Sequence, residues 1–95
     1  MPVHCNHTDQ THLVHPKTEG CEECLKTGQH WVSLRLCQTC GQVGCCDSSV
    51  GKHARQHFHD TQHPIIRPLP NLEWAWCYID DDYLVKDQVD ELKAA

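Results

Sequence analysis

The stretch from Cys37 to His63 constrains this chain more than any other. It holds Cys37-Gln38-Thr39-Cys40, then Cys45-Cys46, then His53, His57 and His63, and a further pair, Cys21-Glu22-Glu23-Cys24, lies upstream. Thiolate and neutral imidazole are borderline-soft donors, and a gap of two residues lets one turn present both sulfurs to a single ion. One such pair is a weak signal. Two of them, with three histidines at intervals of four and six residues, are a strong signal for zinc.

Length and composition bound the rest. The 95 residues read as a single domain over 1–95, too short to bury much of its own surface, so external staples are expected. The eight cysteines suit either disulfides or metal. The N-terminus has no basic region followed by an apolar run, so no signal peptide is read there. No apolar stretch approaches the roughly 20 residues that span a bilayer. The expected setting is therefore cytoplasmic, where thiols stay reduced and bind metal, with no membrane partner. A formal charge of −5, with the eight Lys and Arg scattered, argues against nucleic acid, which is met by clustered cations.

Residues 1–20 read as an irregular arm in which Cys5-Asn6-His7 is the one ligand-like pair, with His4, His12 and His15 solvated. The β-formers of 30–36 predict a strand, and Gly41-Gln42-Val43-Gly44 a short return strand. Ser48 or Ser49 can cap a helix running to about Asp60, with His53 and His57 one turn apart, and His63-Pro64 stops it. Ile65-Ile66-Arg67 predicts a strand, after which Pro68 and Pro70 turn the chain. Residues 73–79 predict another strand, Asp80-Asp81-Asp82 a turn, Tyr83-Leu84-Val85 a return strand, and 86–95 a weak helix.

Structural zinc takes four ligands in a tetrahedron. The candidates are Cys5, His7, Cys21, Cys24, Cys37, Cys40, Cys45, His53, His57, His63 and Cys77, which is eleven, one short of three sites. Asp80 stands three residues after Cys77 and can complete the set through a carboxylate oxygen; the other reading makes it a turn residue beside Asp81 and Asp82. Cys46 reads as a small buried thiol, with the alternative that it replaces Cys45 as ligand. The fold class expected is α+β: a small antiparallel sheet with one central helix, held by three structural zinc sites.

Cys5-x-His7, the two knuckles, Cys40-Gly-Gln-Val-Gly-Cys45, His53-x3-His57-x5-His63-Pro64 and Trp76-Cys77-Tyr78 together resemble the UBP-type zinc finger, the ubiquitin-binding domain of deubiquitinases and related proteins, over nearly the whole chain. The resemblance implies a partition of the ligands. Cys5, His7, Cys77 and position 80 share one ion; Cys21, Cys24, Cys45 and His53 share another; Cys37, Cys40, His57 and His63 share the third. It also implies that Trp76, Tyr78 and Tyr83 line a pocket for the free C-terminal tail of a partner, although aromatics on a strand are as often core. Two departures stand out. Position 80 is Asp where the family usually has Cys. The Arg that helps hold the tail is missing, and Asp47 stands in that region. Like charges about 5 Å apart at an effective dielectric near 20 repel by about 3 kcal/mol before screening. Arg35, Lys52 or Arg55 can substitute, but the sequence does not place them.

The functional expectation is a zinc-binding protein-interaction module that takes a protein or peptide C-terminus. Ubiquitin is one candidate but not the favoured one. A stand-alone, prokaryotic-type variant of the finger is the expected form. Catalysis is not expected: His53-Ala54-Arg55-Gln56-His57 lacks the general-base Glu of a metalloprotease helix, and every zinc position can be filled by protein. The alternatives are a purely structural zinc protein and, less favoured, a nucleic-acid finger.

Overall fold

The computed structural model describes residues 7, 8, 11, 14–69 and 71–94. Cys21 opens the first element. Its sulfur accepts from the Cys24 amide at 3.4 Å, and α1 runs over Glu22–Thr27 behind it. Glu22 and Glu23 lie against the positive end of the helix, and Gly28, at φ 77°, closes it by donating to the Cys24 carbonyl at 2.8 Å. The knuckle read from the sequence is thus also a helix start, which spacing alone does not reveal.

The sheet is antiparallel throughout. Strand β1 (Leu34–Cys37) pairs on one side with β2 (Val43–Cys45) and on the other with β3 (Ile65–Leu69), followed outward by β4 (Trp76–Cys77) and β5 (Asp82–Tyr83). The register sets Arg35 between Gly44 and Pro68. Pro68 therefore lies inside β3 and does not end it. Proline suits an extended backbone and costs the strand only one donor. The turn comes just after it, with the Leu72 amide on the Pro68 carbonyl at 2.9 Å.

Helix α2 (His53–Thr61) lies across β2 and β1. It approaches at Gly44, where an added Cβ would stand 2.6 Å from the Ala54 nitrogen. The expected cap from Ser48 or Ser49 does not form. The helix starts later, after Lys52 at φ 47°, with no side-chain cap. Ser49 is buried and spends its hydroxyl on the Val32 amide at 2.8 Å, while the His53 amide, an orphan of the first turn, donates to the Cys45 sulfur at 3.1 Å. Helix α3 (Lys86–Ala94) ends the chain and sets Val89 and Leu92 against Ile65, Ala75, Cys77 and Leu84. A second cluster consists of Cys21, Cys24 and Cys45 with Leu34 against them. The fold is α+β as expected, and among the described residues three helices accompany the five-stranded sheet.

Arg67, in β3, is the largest fully buried side chain. It has no acidic partner among the described residues. Its guanidinium donates to the main-chain carbonyls of Leu72 and of Trp74, the latter at 3.5 Å, and burial lowers its pKa. These bonds tie the segment that carries Trp74 back onto the sheet. Among the described residues no helix is long and apolar enough to cross a membrane.

Candidate metal centres and aromatic cleft

Among the described residues the fold gathers six cysteines, four histidines and Asp80 into three groups, and within each the ligand atoms lie within 4.8 Å of one another. In the first, the His53 Nδ1 lies 3.3 Å from the Cys21 sulfur and 3.4 Å from those of Cys24 and Cys45. The start of α1 supplies two of these sulfurs, the end of β2 the third, and the first turn of α2 the imidazole. Gly51 leaves room for that ring, since a Cβ there would fall 2.2 Å from its Cε1. In the second group the Cys40 sulfur is 3.3 Å from the His57 Nε2, and the Cys37 sulfur is 3.6 Å from the His63 Nδ1. In the third the His7 Nδ1 is 3.5 Å from the Cys77 sulfur and 3.4 Å from the Asp80 Oδ1. Asp80 also donates its amide to the Cys77 sulfur at 3.4 Å, the same turn chemistry that Cys24 and Cys21 use. Cys5 lies outside the described residues.

The donor sets fit zinc. With Zn–S near 2.3 Å and Zn–N near 2.05 Å, the S···N edge of a tetrahedron is about 3.5 Å. The observed edges bracket that value. No disulfide joins the seven described cysteines. Burial raises the thiol pKa values of Cys24 and Cys37, and neighbouring thiols push the same way. Such a cluster resists ionisation on its own. A bound dication supplies the compensating charge that lets it hold thiolates.

Cys45 and Cys46 part company here. The Cys46 thiol is buried outside the first group, 3.6 Å from the Ser49 hydroxyl. Burial alone would raise its pKa, but hydrogen bonds from Ser49 and the backbone of Ser48 and Ser33, together with the charge of Arg35, outweigh it and lower it.

A cleft of about 210 Å³ opens between β1, the 46–48 segment, α2 and the β4–β5 end of the sheet. Trp76, Tyr78 and Tyr83 line it, and so does Trp74. Tyr83 meets the edges of both tryptophans, with ring centroids 5.3 Å from Trp74 and 4.9 Å from Trp76. Tyr78 stacks on Phe58 at 5.1 Å, and its pKa is raised, first by burial and then by the Asp47 carboxylate. Trp74 was not among the residues picked from the sequence. The signal was there: 74, 76 and 78 alternate along a strand reading and so share a face.

The cleft also answers the question of cations. Arg35 and Arg55 both line it, whereas Lys52 sits exposed at the start of α2. Asp47 does not stand as an uncompensated charge. Arg55 donates from Nε to its Oδ1 at 3.2 Å and from Nη2 to its Oδ2 at 2.6 Å, and lies over the Tyr78 ring at 5.1 Å. The repulsion expected from Asp47 is largely cancelled by this pair.

Metal-binding knuckles that cross-brace a small antiparallel sheet define a zinc-finger module. Residues 21–89 match the zf-UBP family, the Zn-finger in ubiquitin-hydrolases and other protein, and the chain belongs to that family. It is 31% identical over 75 residues to ubiquitin carboxyl-terminal hydrolase 44 of Xenopus tropicalis, covering 79% of this chain and 11% of that protein. It is 35% identical over 68 residues to the NAD-dependent deacetylase sir2A of Dictyostelium discoideum, covering 72% of this chain and 12% of that one. The chain thus spans about a tenth of the length of the curated relatives it matches. The solution NMR structure of protein RPA1320 from Rhodopseudomonas palustris is similar over 88% of this chain and 83% of its own, with 52% identity and a TM-score of 0.80.

Proposed function

We propose that this chain is a non-catalytic, three-zinc interaction module that receives the C-terminal tail of a partner protein in the cleft of Trp74, Trp76, Tyr78 and Tyr83. Zinc binding itself follows from the family and the three ligand groups. In this reading one ion takes Cys21, Cys24, Cys45 and His53, a second Cys37, Cys40, His57 and His63, and a third His7, Cys77, Asp80 and, by the family partition, Cys5. The ions are structural: each fixes strands and helices distant in sequence, and with four protein ligands none keeps the open position that catalytic zinc needs. The reduced thiols this requires suit a cytoplasmic setting.

The observation that carries the tail reading is the cleft. Four aromatic rings and two guanidinium groups surround about 210 Å³, roughly the volume of seven waters. Such a space admits the last residues of an extended chain. Exposed aromatics give contact area at low entropic cost, and Tyr83 is 44% exposed at the sheet edge. The relatives named as ubiquitin hydrolases make ubiquitin the first protein to test, alongside peptides ending in Gly-Gly. An NMR titration checks the reading. Ligand-dependent shifts should centre on Trp76, Tyr78 and Tyr83 and vanish in Trp76→Ala at unchanged zinc content. Shifts confined to other surfaces would move the binding site away from the cleft, and none with any tail would leave a purely structural zinc protein.

A further inference from the structure

Resting on that reading of the cleft, we infer that its selectivity for a free α-carboxylate is set by Arg35 of β1, while Asp47 acts as a built-in counter-ion that keeps Arg55 from the ligand. The two arginines line one cleft but are in opposite states. Arg55 is paired: its Nε and Nη2 hold the two oxygens of Asp47, the shortest contact being 2.6 Å. Arg35 is not. Its cross-strand neighbours are Gly44 and Pro68, neither of which carries charge. Its guanidinium lies 4.9 Å from the centre of the Trp74 ring, and Nη1 donates to the Leu34 carbonyl at 2.9 Å.

No carboxylate pairs with Arg35 among the described residues, which leaves most of its five donors for a ligand. A half-buried guanidinium over an indole, without a carboxylate counter-ion among the described residues, favours an anion. Its planar fork matches a carboxylate bidentately. The cleft has room for the last residues of a chain that ends in small side chains. The cation that reads the tail thus comes from β1, not from the 46–48 segment, where the sequence puts an acid.

The test uses the zinc-loaded protein and two fluorescent hexapeptides ending in Gly-Gly, one a free acid and one a C-terminal amide. The wild type should prefer the acid at least tenfold. Arg35→Gln should bind both peptides alike, and Arg35→Lys should keep a reduced preference, since an ammonium neither forks nor stacks as a guanidinium does. Asp47→Asn should release Arg55 and tighten the acid several-fold with little change for the amide. Equal binding of acid and amide by the wild type, with both abolished by Trp76→Ala, would overturn the role of Arg35 and leave the cleft as the tail site. An undiminished acid preference in Arg35→Gln would do the same. No binding of either peptide, or binding indifferent to Trp76→Ala, would overturn both readings. Zinc content near that of the wild type establishes that each variant is folded. Should Arg35→Gln fail that check, Arg35→Lys and the acid–amide comparison on the wild type still decide the matter.

Discussion

Cys45 and Cys46 are the same residue type one bond apart, yet their surroundings give them different roles. The Cys45 sulfur accepts the His53 amide and faces the His53 ring, while Cys46 turns to Ser49. Cys45→Ser should therefore cost one zinc per chain. Cys46→Ser should keep the full complement, with a stability loss on the order of 1 kcal/mol, as for an ordinary buried substitution. Elemental analysis of the two variants separates them, and equal zinc loss in both would contradict the assignment. Arg67 yields a second prediction at this scale. Truncating it to Ala removes two charge-assisted bonds to main-chain carbonyls, a loss of about 3 kcal/mol or more. Because those carbonyls belong to Leu72 and Trp74, the variant should also blur the Trp74 indole signal in NMR spectra even when excess zinc keeps it folded.

Among the elements, the contact of α2 with β2 decides where His53 stands. Gly44 lets the helix backbone ride directly on the strand. Gly44→Ala should push them apart at about 1–3 kcal/mol, the usual range for overpacking, and weaken zinc at the Cys21–Cys24–Cys45–His53 group in a chelator competition. Gly28→Ala is the matched control. Nothing lies within 4 Å of its would-be Cβ, so only the positive φ is strained, about 1 kcal/mol. Equal effects would mean that the helix does not need this close approach. The same elements show what the sequence could and could not convey. Local pattern was enough for strands near 34–37 and 65–69 and for a helix holding His53 and His57, because β-formers and one-turn spacing act locally. The start of that helix was not legible: serine is a good cap in isolation, but Ser49 is taken by the distant Val32 amide and a sulfur from β2 does the capping. α1 was hidden inside its knuckle for the same reason. The identities of the candidate ligands could be read from spacing, whereas their grouping depends on which elements the fold brings together. Arg35 and Arg55 looked interchangeable in the sequence. Only the packing of α2 against the 46–48 segment pairs one of them with Asp47.

At the scale of the molecule, the described residues form two small apolar clusters, one of which is largely the cysteines of a zinc group. A chain of 95 residues with small apolar clusters should draw much of its folding free energy from metal, because each ion would join ligands from segments distant in sequence. The three groups should not release zinc together. The Cys21–Cys24–Cys45–His53 group has three buried cysteines, and the Cys37–Cys40–His57–His63 group has buried Cys37 beside the half-buried Cys40. The third relies on His7 and Asp80, whose side chains are 33% and 26% exposed, and on a carboxylate in place of a softer thiolate. Graded chelation should therefore first lower the zinc ratio from three to two while the signals of β1 and α2 persist. Further chelator should then collapse the whole spectrum. Asp80→Cys should close the gap by tightening the third site. Elemental analysis paired with NMR at each chelator concentration checks this. Simultaneous loss of all three ions, or a native spectrum that survives complete removal, would show that the metal does not order the fold in this graded way.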